Sequence, residues 1–262
     1  MTISGVKVRD GARLVYEVRG RAKDAPPVAL IHSLGMDHTF WNAVTPALTE
    51  TTAVLVYDCR GHGRSDKPAG PYRVEAFADD LADLLDHVGW RSAIVAGASM
   101  GGCISLAFAA AHPQRATGLG LFDTWYDAPN KWEERARTAE TKGLDAQVEF
   151  QTTRWFTDAF RASRKDVLDA SVAVFLANTA QAYAQTCRML GACNMTAALP
   201  RLKMPVRIAV GDEDYATPVA MSQTLHRAIA GSTLTVITNA RHLSPQHNVA
   251  ELLKLVETVP AQ

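Results

Sequence analysis

The chain has 262 residues, 47% hydrophobic and 21% charged, and its 27 basic side chains balance 27 acidic ones to a formal net charge of zero. That length suits one large α/β domain or two small ones and is ample for a buried core. The even charge removes the basic stripe of a nucleic-acid binder and the polybasic patch of a membrane-surface protein, and the hydrophobic content excludes disorder. The opening MTISGVKVRDG lacks the basic and apolar regions of a signal peptide, so a cytoplasmic protein is expected.

Residues 6–8 and 14–18 alternate around Asp10-Gly11, a short-hairpin signal. After Pro26-Pro27 come short apolar runs at 28–31, 53–57 and 93–96, each suited to a strand covered on both faces, and further strands follow at 118–122, 206–210 and 234–238. Helical patterns fall between them. Phe77, Leu81, Leu84, Leu85 and Val88 recur at three and four spacing, residues 100–111 are rich in Ala, and 219–230 are amphipathic. Val249, Leu252, Leu253, Val256 and Val259 line a last helix, for which Ser244 would be the N-cap and Pro245 the first turn. Residues 92–111 carry no charge, yet Gly97, Gly101 and Gly102 predict a strand, a sharp turn and a buried helix there instead of a membrane span.

Alternating strands and helices after a hairpin predict an α/β fold: a mostly parallel eight-stranded sheet with helices on both faces. The rhythm breaks between 125 and 199, where only helical segments are found, at 131–142, 145–156, 164–177 and 180–190. Residues 1–124 and 200–262 are therefore expected to form a core domain, with 125–199 a helical cap inserted between the sixth and seventh strands. Cys59, Cys103, Cys187 and Cys193 show no CxxC spacing and read as free thiols, and the eight histidines show no paired ligand spacing, so no metal is expected.

The strand at 93–96 runs into Gly97-Ala98-Ser99-Met100-Gly101 ahead of a helix, the context in which a Gly-x-Ser-x-Gly elbow lifts a serine hydroxyl above a sheet. The plain alternative is a glycine-rich turn whose hydroxyl is merely satisfied. Serine is a weak nucleophile until a base takes its proton, and that base needs a third group to fix its tautomer. His242 follows the last strand, at the sheet edge where active sites form, and His247 is its rival. Asp214, three residues past Gly211, is the expected acid; Asp212 and Asp123 are alternatives at the same edge. Charge on an attacked carbonyl oxygen needs fixed N–H donors. The Met100 N–H supplies one, and the Leu34 N–H, with Ser33 as alternative, the second. His32 and His62 are expected to hold loop backbone.

With these motifs in hand, the chain resembles the α/β-hydrolase superfamily: HSLG at 32–35, DCRGHGRSDKP at 58–68, GASMGG at 97–102, GDEDYATP at 211–218 and ARH at 240–242. Within it the chain most resembles the 3-oxoadipate enol-lactonases, through HSLGMDHTFW at 32–41, TRWFTDAF at 153–160, YAQTC at 183–187 and the ATP after Asp214. The resemblance implies a hydrolase without a cofactor that opens a small lactone in aromatic catabolism. Ser33, Trp125, Arg154 and Trp155 become candidate substrate contacts, since a cap arginine suits a carboxylate-bearing lactone. The plain alternatives are a solvated helix face for Arg137, Arg154 and Arg161 and a place in the cap core for Trp155. Arg241 departs from the glycine or serine common at its position, with a consequence for access, and Trp125-Tyr126 add two rings beside the expected pocket.

The expected partner is thus a small-molecule lactone or ester, with no nucleic acid and no membrane, and the protein a monomer or homodimer. Activity should rise through the ordinary histidine range, about pH 6.5. A general short-chain carboxylesterase, a C–C hydrolase or a cofactor-free perhydrolase would use the same three residues. A hydrolase-fold ligand receptor without turnover is the reading from another class.

Overall fold

The computed structural model describes residues 3–21, 25–127, 131–246 and 250–259. The opening hairpin pairs β1 (Ser4–Lys7) with β2 (Arg13–Arg19), antiparallel, about a turn in which Gly11 takes a φ of 89°. β3 (Val28–Ile31) follows, and after it come a 3-10 helix at His38–Trp41 and a short helix, α1 (Thr45–Thr49), neither legible as a periodic pattern. β4 (Val54–Asp58) precedes α2 (Val74–His87), which buries Phe77, Leu81, Leu84 and Leu85 on one stripe. Each such side chain contributes about 1.5–3 kcal/mol on leaving water. β5 (Ala93–Ala98), α3 (Met100–Ala111) and β6 (Ala116–Phe122) complete this half.

Past β6 the described residues form helices until the next sheet strand: α4 (Trp132–Lys142), α5 (Val148–Trp155), α6 (Asp158–Ser163), α7 (Lys165–Leu176) and α8 (Ala180–Ala192). Here the structure refines the expected boundaries. A separate 3-10 turn at Asp145–Gln147 precedes α5. α6 is an added helix, set off because the Thr157 hydroxyl accepts the Phe160 N–H as an N-cap. The chain then returns to the sheet through β7 (Val206–Gly211), α9 (Val219–Ala228), β8 (Thr233–Ile237) and α10 (Ala250–Thr258).

One expectation fails at this end. Ser244 is not a helix cap: Ser244 and Pro245 lie within a 3-10 turn at Ser244–Gln246, and α10 is described over Ala250–Thr258. The Ser244 hydroxyl has no hydrogen-bond partner among the described residues and so caps nothing, while its N–H goes to Asp123 Oδ2 at 2.9 Å, which ties this turn to the end of β6. Val249, expected on that helix, and His247, the rival base, lie outside the described residues.

The eight strands lie in the order β1-β2-β4-β3-β5-β6-β7-β8. β2 runs antiparallel to both its neighbours, β1 and β4, and every other pairing is parallel, with helices on both faces. The central strands β3, β4 and β5 are buried throughout, which explains their unbroken apolar runs. The chain crosses from β4 on one side of β3 to β5 on the other, so a crevice opens beyond the carboxyl ends of β3 and β5. Ile31 pairs with Gly97 there, placing the loop after β3 beside Ser99. Among the described residues no helix is long and apolar enough to cross a membrane.

Candidate active site

Ser99 stands between the last residue of β5 and the first of α3, with φ 54° and ψ −113°. A non-glycine residue held there stores about 1–3 kcal/mol of strain, which persists only where the surroundings dictate it. They do. The Ser99 N–H donates to the Phe122 carbonyl at 2.8 Å, and the Ser99 carbonyl accepts the Thr124 hydroxyl at 2.6 Å and the Gly102 N–H at 2.9 Å. A Cβ on Gly97 would overlap the Gly101 carbonyl, and one on Gly101 would overlap the Ile31 carbonyl, so both flanking positions admit only glycine.

The Ser99 hydroxyl meets His242 Nε2 at 2.8 Å, and His242 Nδ1 meets Asp214 Oδ2 at 2.8 Å. All three side chains are buried. Asp214 also accepts the Ala216 N–H at 2.7 Å, the Thr217 N–H at 3.0 Å and the Thr217 hydroxyl at 2.7 Å. Burial works against the Asp214 charge, but His242 and these donors outweigh it and hold the carboxyl below the usual range. An ionised Asp214 accepts from Nδ1–H, which leaves the Nε2 lone pair facing the serine hydroxyl. Such a line can take a proton off the hydroxyl as its oxygen attacks a carbonyl.

Neither alternative acid reaches the imidazole. Asp212 Oδ1 accepts the Ala240 N–H at 3.3 Å. Asp123, fully buried at the end of β6, accepts the Gly211 N–H at 3.1 Å and the Ser244 N–H at 2.9 Å. Burial, then the nearby Asp214 charge, push its pKa well above the ordinary value. Its place is to join the loops that bear Asp214 and His242.

The Ser33–Leu34 peptide is fixed from its oxygen side. The Ser33 carbonyl accepts His32 Nδ1–H at 2.8 Å and the Met36 N–H at 3.1 Å, so the planar trans peptide aims the Leu34 N–H the opposite way. No backbone acceptor among the described residues takes the Leu34 or the Met100 N–H, the latter at the first position of α3. His32 Nε2 accepts the Cys59 N–H at 3.0 Å, and His62 Nδ1 lies 3.1 Å from the Arg60 carbonyl. The two imidazoles meet edge to face with centroids 5.1 Å apart. Both act as sequence reasoning expected, as buried struts of loop backbone. Asp37, His38 and Asp58 bring ligand-type atoms within 4.8 Å of one another. Asp58 is already engaged by His38 N–H and Nδ1 and by the Arg64 N–H, and Asp37 caps the turn at Thr39, so this cluster braces a loop and offers no open metal position.

A cavity of about 680 Å³ opens over Ser99 and His242. Ser33, Trp125, Arg154 and Trp155, the expected contacts, all line it. Trp155 also packs edge-on to Phe175, so it serves the helical core as well. Tyr126 and Arg241 do not reach the cavity, contrary to the expected second ring and altered access; Tyr126 is half-buried and Arg241 turns toward α5. Arg137 and Arg161 pair with Glu133 and Asp158 outside it. Sequence reasoning missed Trp132, Arg135, Phe150, Gln151 and Tyr215 on the lining. Trp132 and Arg135 are one helical turn apart on α4, a spacing that marks a shared face without saying what the face meets.

Arg135 and Arg154 have no carboxylate partner among the described residues. Arg135 Nε donates to the Tyr183 hydroxyl at 2.7 Å, and Arg154 lies over the Phe150 ring at 4.8 Å and the Tyr215 ring at 5.6 Å. Burial, then the Arg135 charge, lower the Arg154 pKa. On the lining the two guanidinium groups and Lys131 outnumber the carboxylate of Glu134, which makes the cavity electropositive.

Residues 26–181 match the α/β hydrolase fold family. The chain is 31% identical over 233 residues to 3-oxoadipate enol-lactonase 2 of Acinetobacter baylyi, covering 88% of this chain and 86% of that protein. The enol-lactonase of Burkholderia xenovorans LB400 superposes with a TM-score of 0.90 at 32% identity, over 98% of both chains. A thermophilic esterase from Thermogutta terrifontis superposes at 0.89 with 27% identity, over 98% of this chain and all of that one.

Proposed function

Since this chain belongs to the α/β-hydrolase family, we propose that it is a serine hydrolase that opens a small lactone through an acyl-enzyme, with 3-oxoadipate enol-lactone as the substrate. In this reading Ser99 attacks the lactone carbonyl, His242 takes its proton, and Asp214 holds the imidazole in place. The Leu34 and Met100 N–H groups bind the oxyanion, each worth about 3–4 kcal/mol in the transition state. The ring opens as an enol that becomes a ketone, which draws the step forward; water activated by His242 then releases the acid. The observation that carries the reading is the unbroken line from Asp214 through His242 to Ser99, with both gaps at 2.8 Å.

The substrate class is supported by the unpaired Arg135 and Arg154. Each can form a charge-assisted bond with a carboxylate on the lactone, while Ser33, Trp125, Trp132 and Trp155 enclose its ring. Residues 125–199 act as a cap that closes the cavity over a core of 1–124 and 200–262. The experiment is turnover of 3-oxoadipate enol-lactone beside p-nitrophenyl acetate by the native protein and Ser99→Ala. The lactone is expected to be the better substrate, with kcat about 10^4-fold lower or less in Ser99→Ala. Rapid ester turnover with the lactone untouched would replace the lactonase reading by a general carboxylesterase. Full activity in Ser99→Ala would overturn the mechanism.

A further inference from the structure

We propose that the carboxyl end of α5 is a positioning element for His242, and that Arg241 is the clasp that holds it; the proposal rests on the reading of His242 as the base. An α-helix leaves its last carbonyls without donors of its own. In α5 those donors come from the segment that bears the imidazole, some 88 positions away. The His242 N–H donates to the Arg154 carbonyl and the Leu243 N–H to the Trp155 carbonyl, each at 3.2 Å. Arg241 Nη1 closes the set, donating to the Thr153 carbonyl at 2.9 Å and the Phe156 carbonyl at 3.1 Å.

The guanidinium suits this place. Its charge faces the negative end of the α5 dipole. Nη1 also lies 3.1 Å from Asp158 Oδ1 at the start of α6, and Nη2 lies 3.4 Å from Glu213 Oε2 in the loop that bears Asp214. One side chain thus joins α5, α6 and both sheet-edge loops of the site. A glycine or serine at 241 could make none of these contacts. Arg154 and Trp155, whose carbonyls hold His242 and Leu243, also line the cavity with their side chains. The residues that meet a ligand are therefore those from which the base hangs.

Arg241→Gln and Arg241→Lys test this through amide exchange and p-nitrophenyl acetate turnover. In Arg241→Gln the His242 and Leu243 amides are expected to exchange at least about tenfold faster, with kcat falling about tenfold or more and KM moving less than about twofold. Protection across β5 and α3 should not change. Arg241→Lys, which keeps the charge and reaches fewer carbonyls, is expected to recover most of both losses. Unchanged exchange at 242 and 243, or native kcat in Arg241→Gln while Ser99→Ala is inactive, would overturn the clasp. So would loss of protection spread evenly over the whole sheet, which marks general destabilisation. If Ser99→Ala keeps native turnover, the reading of the site fails instead, and the exchange measurement still decides the clasp.

Discussion

At Ser99 the backbone is held from within the sheet and its nearest helix: Phe122 takes the N–H, and Thr124 and α3 take the carbonyl. At His242 the N–H leaves the sheet and goes to Arg154 in α5. The two ends of one hydrogen-bonded pair are thus secured by different means. The hydroxyl is placed by close backbone contact inside a rigid core. The imidazole is placed by hydrogen bonds to a helix inserted far away in the chain. Damage to the first should cost folding, and damage to the second should cost alignment.

The strongest way to break this contrast is Gly101→Ala. The added methyl would overlap the Ile31 carbonyl, so β3 or α3 must move. A loss of more than about 3 kcal/mol of stability is expected in urea denaturation, with activity lost alongside. If the variant keeps native stability, the core is not the rigid partner. On the other side, Arg154→Ala leaves the helix carbonyls in place and removes only the cation. KM for the anionic lactone should rise about 10- to 100-fold while p-nitrophenyl acetate changes little, as steady-state assays would show. Equal effects on both substrates would mean that the side chain, too, supports alignment.

The smallest expected effect concerns acid. Burial, then His32, push His62 down to about 3, and His32 is lowered in the same direction. The unfolded chain takes up these protons near the ordinary value of about 6.5, whereas the folded chain does not. Stability is therefore complete above that value and falls as pH drops from there toward 3. His62→Gln is expected to remove about 1.4 kcal/mol per pH unit of that slope between pH 6 and 4, measured by urea melts at each pH. An unaltered slope would mean that His62 does not stay neutral in the folded protein.

The difference between the two ends also explains what the sequence could show. The elbow is legible because its constraints are local: an uncharged strand, small residues and a helix follow one another between Ala93 and Ala111. β3, β4 and β5 read as strands for the same reason. Trp132, Arg135 and Phe150 were not legible, because a helix face turned to a cavity has the polarity of one turned to water. The Arg241 contacts depend on a partner more than eighty positions away, which no periodicity records. Ser244 misled because a serine followed by proline is a good helix start only where its hydroxyl accepts a backbone N–H, and here that hydroxyl is buried without a partner among the described residues.

Trp125, just beyond β6, lies nearly parallel to Trp132 at the start of α4, with ring centroids 5.3 Å apart and planes 23° from parallel. Both indoles border the cavity. Two chromophores this close share their excitation, and separating them changes the colour and yield of the emitted light. The pair is thus an internal optical gauge of the distance between sheet and α4, read as the part of the emission that Trp132→Phe removes from the signal of the five tryptophans.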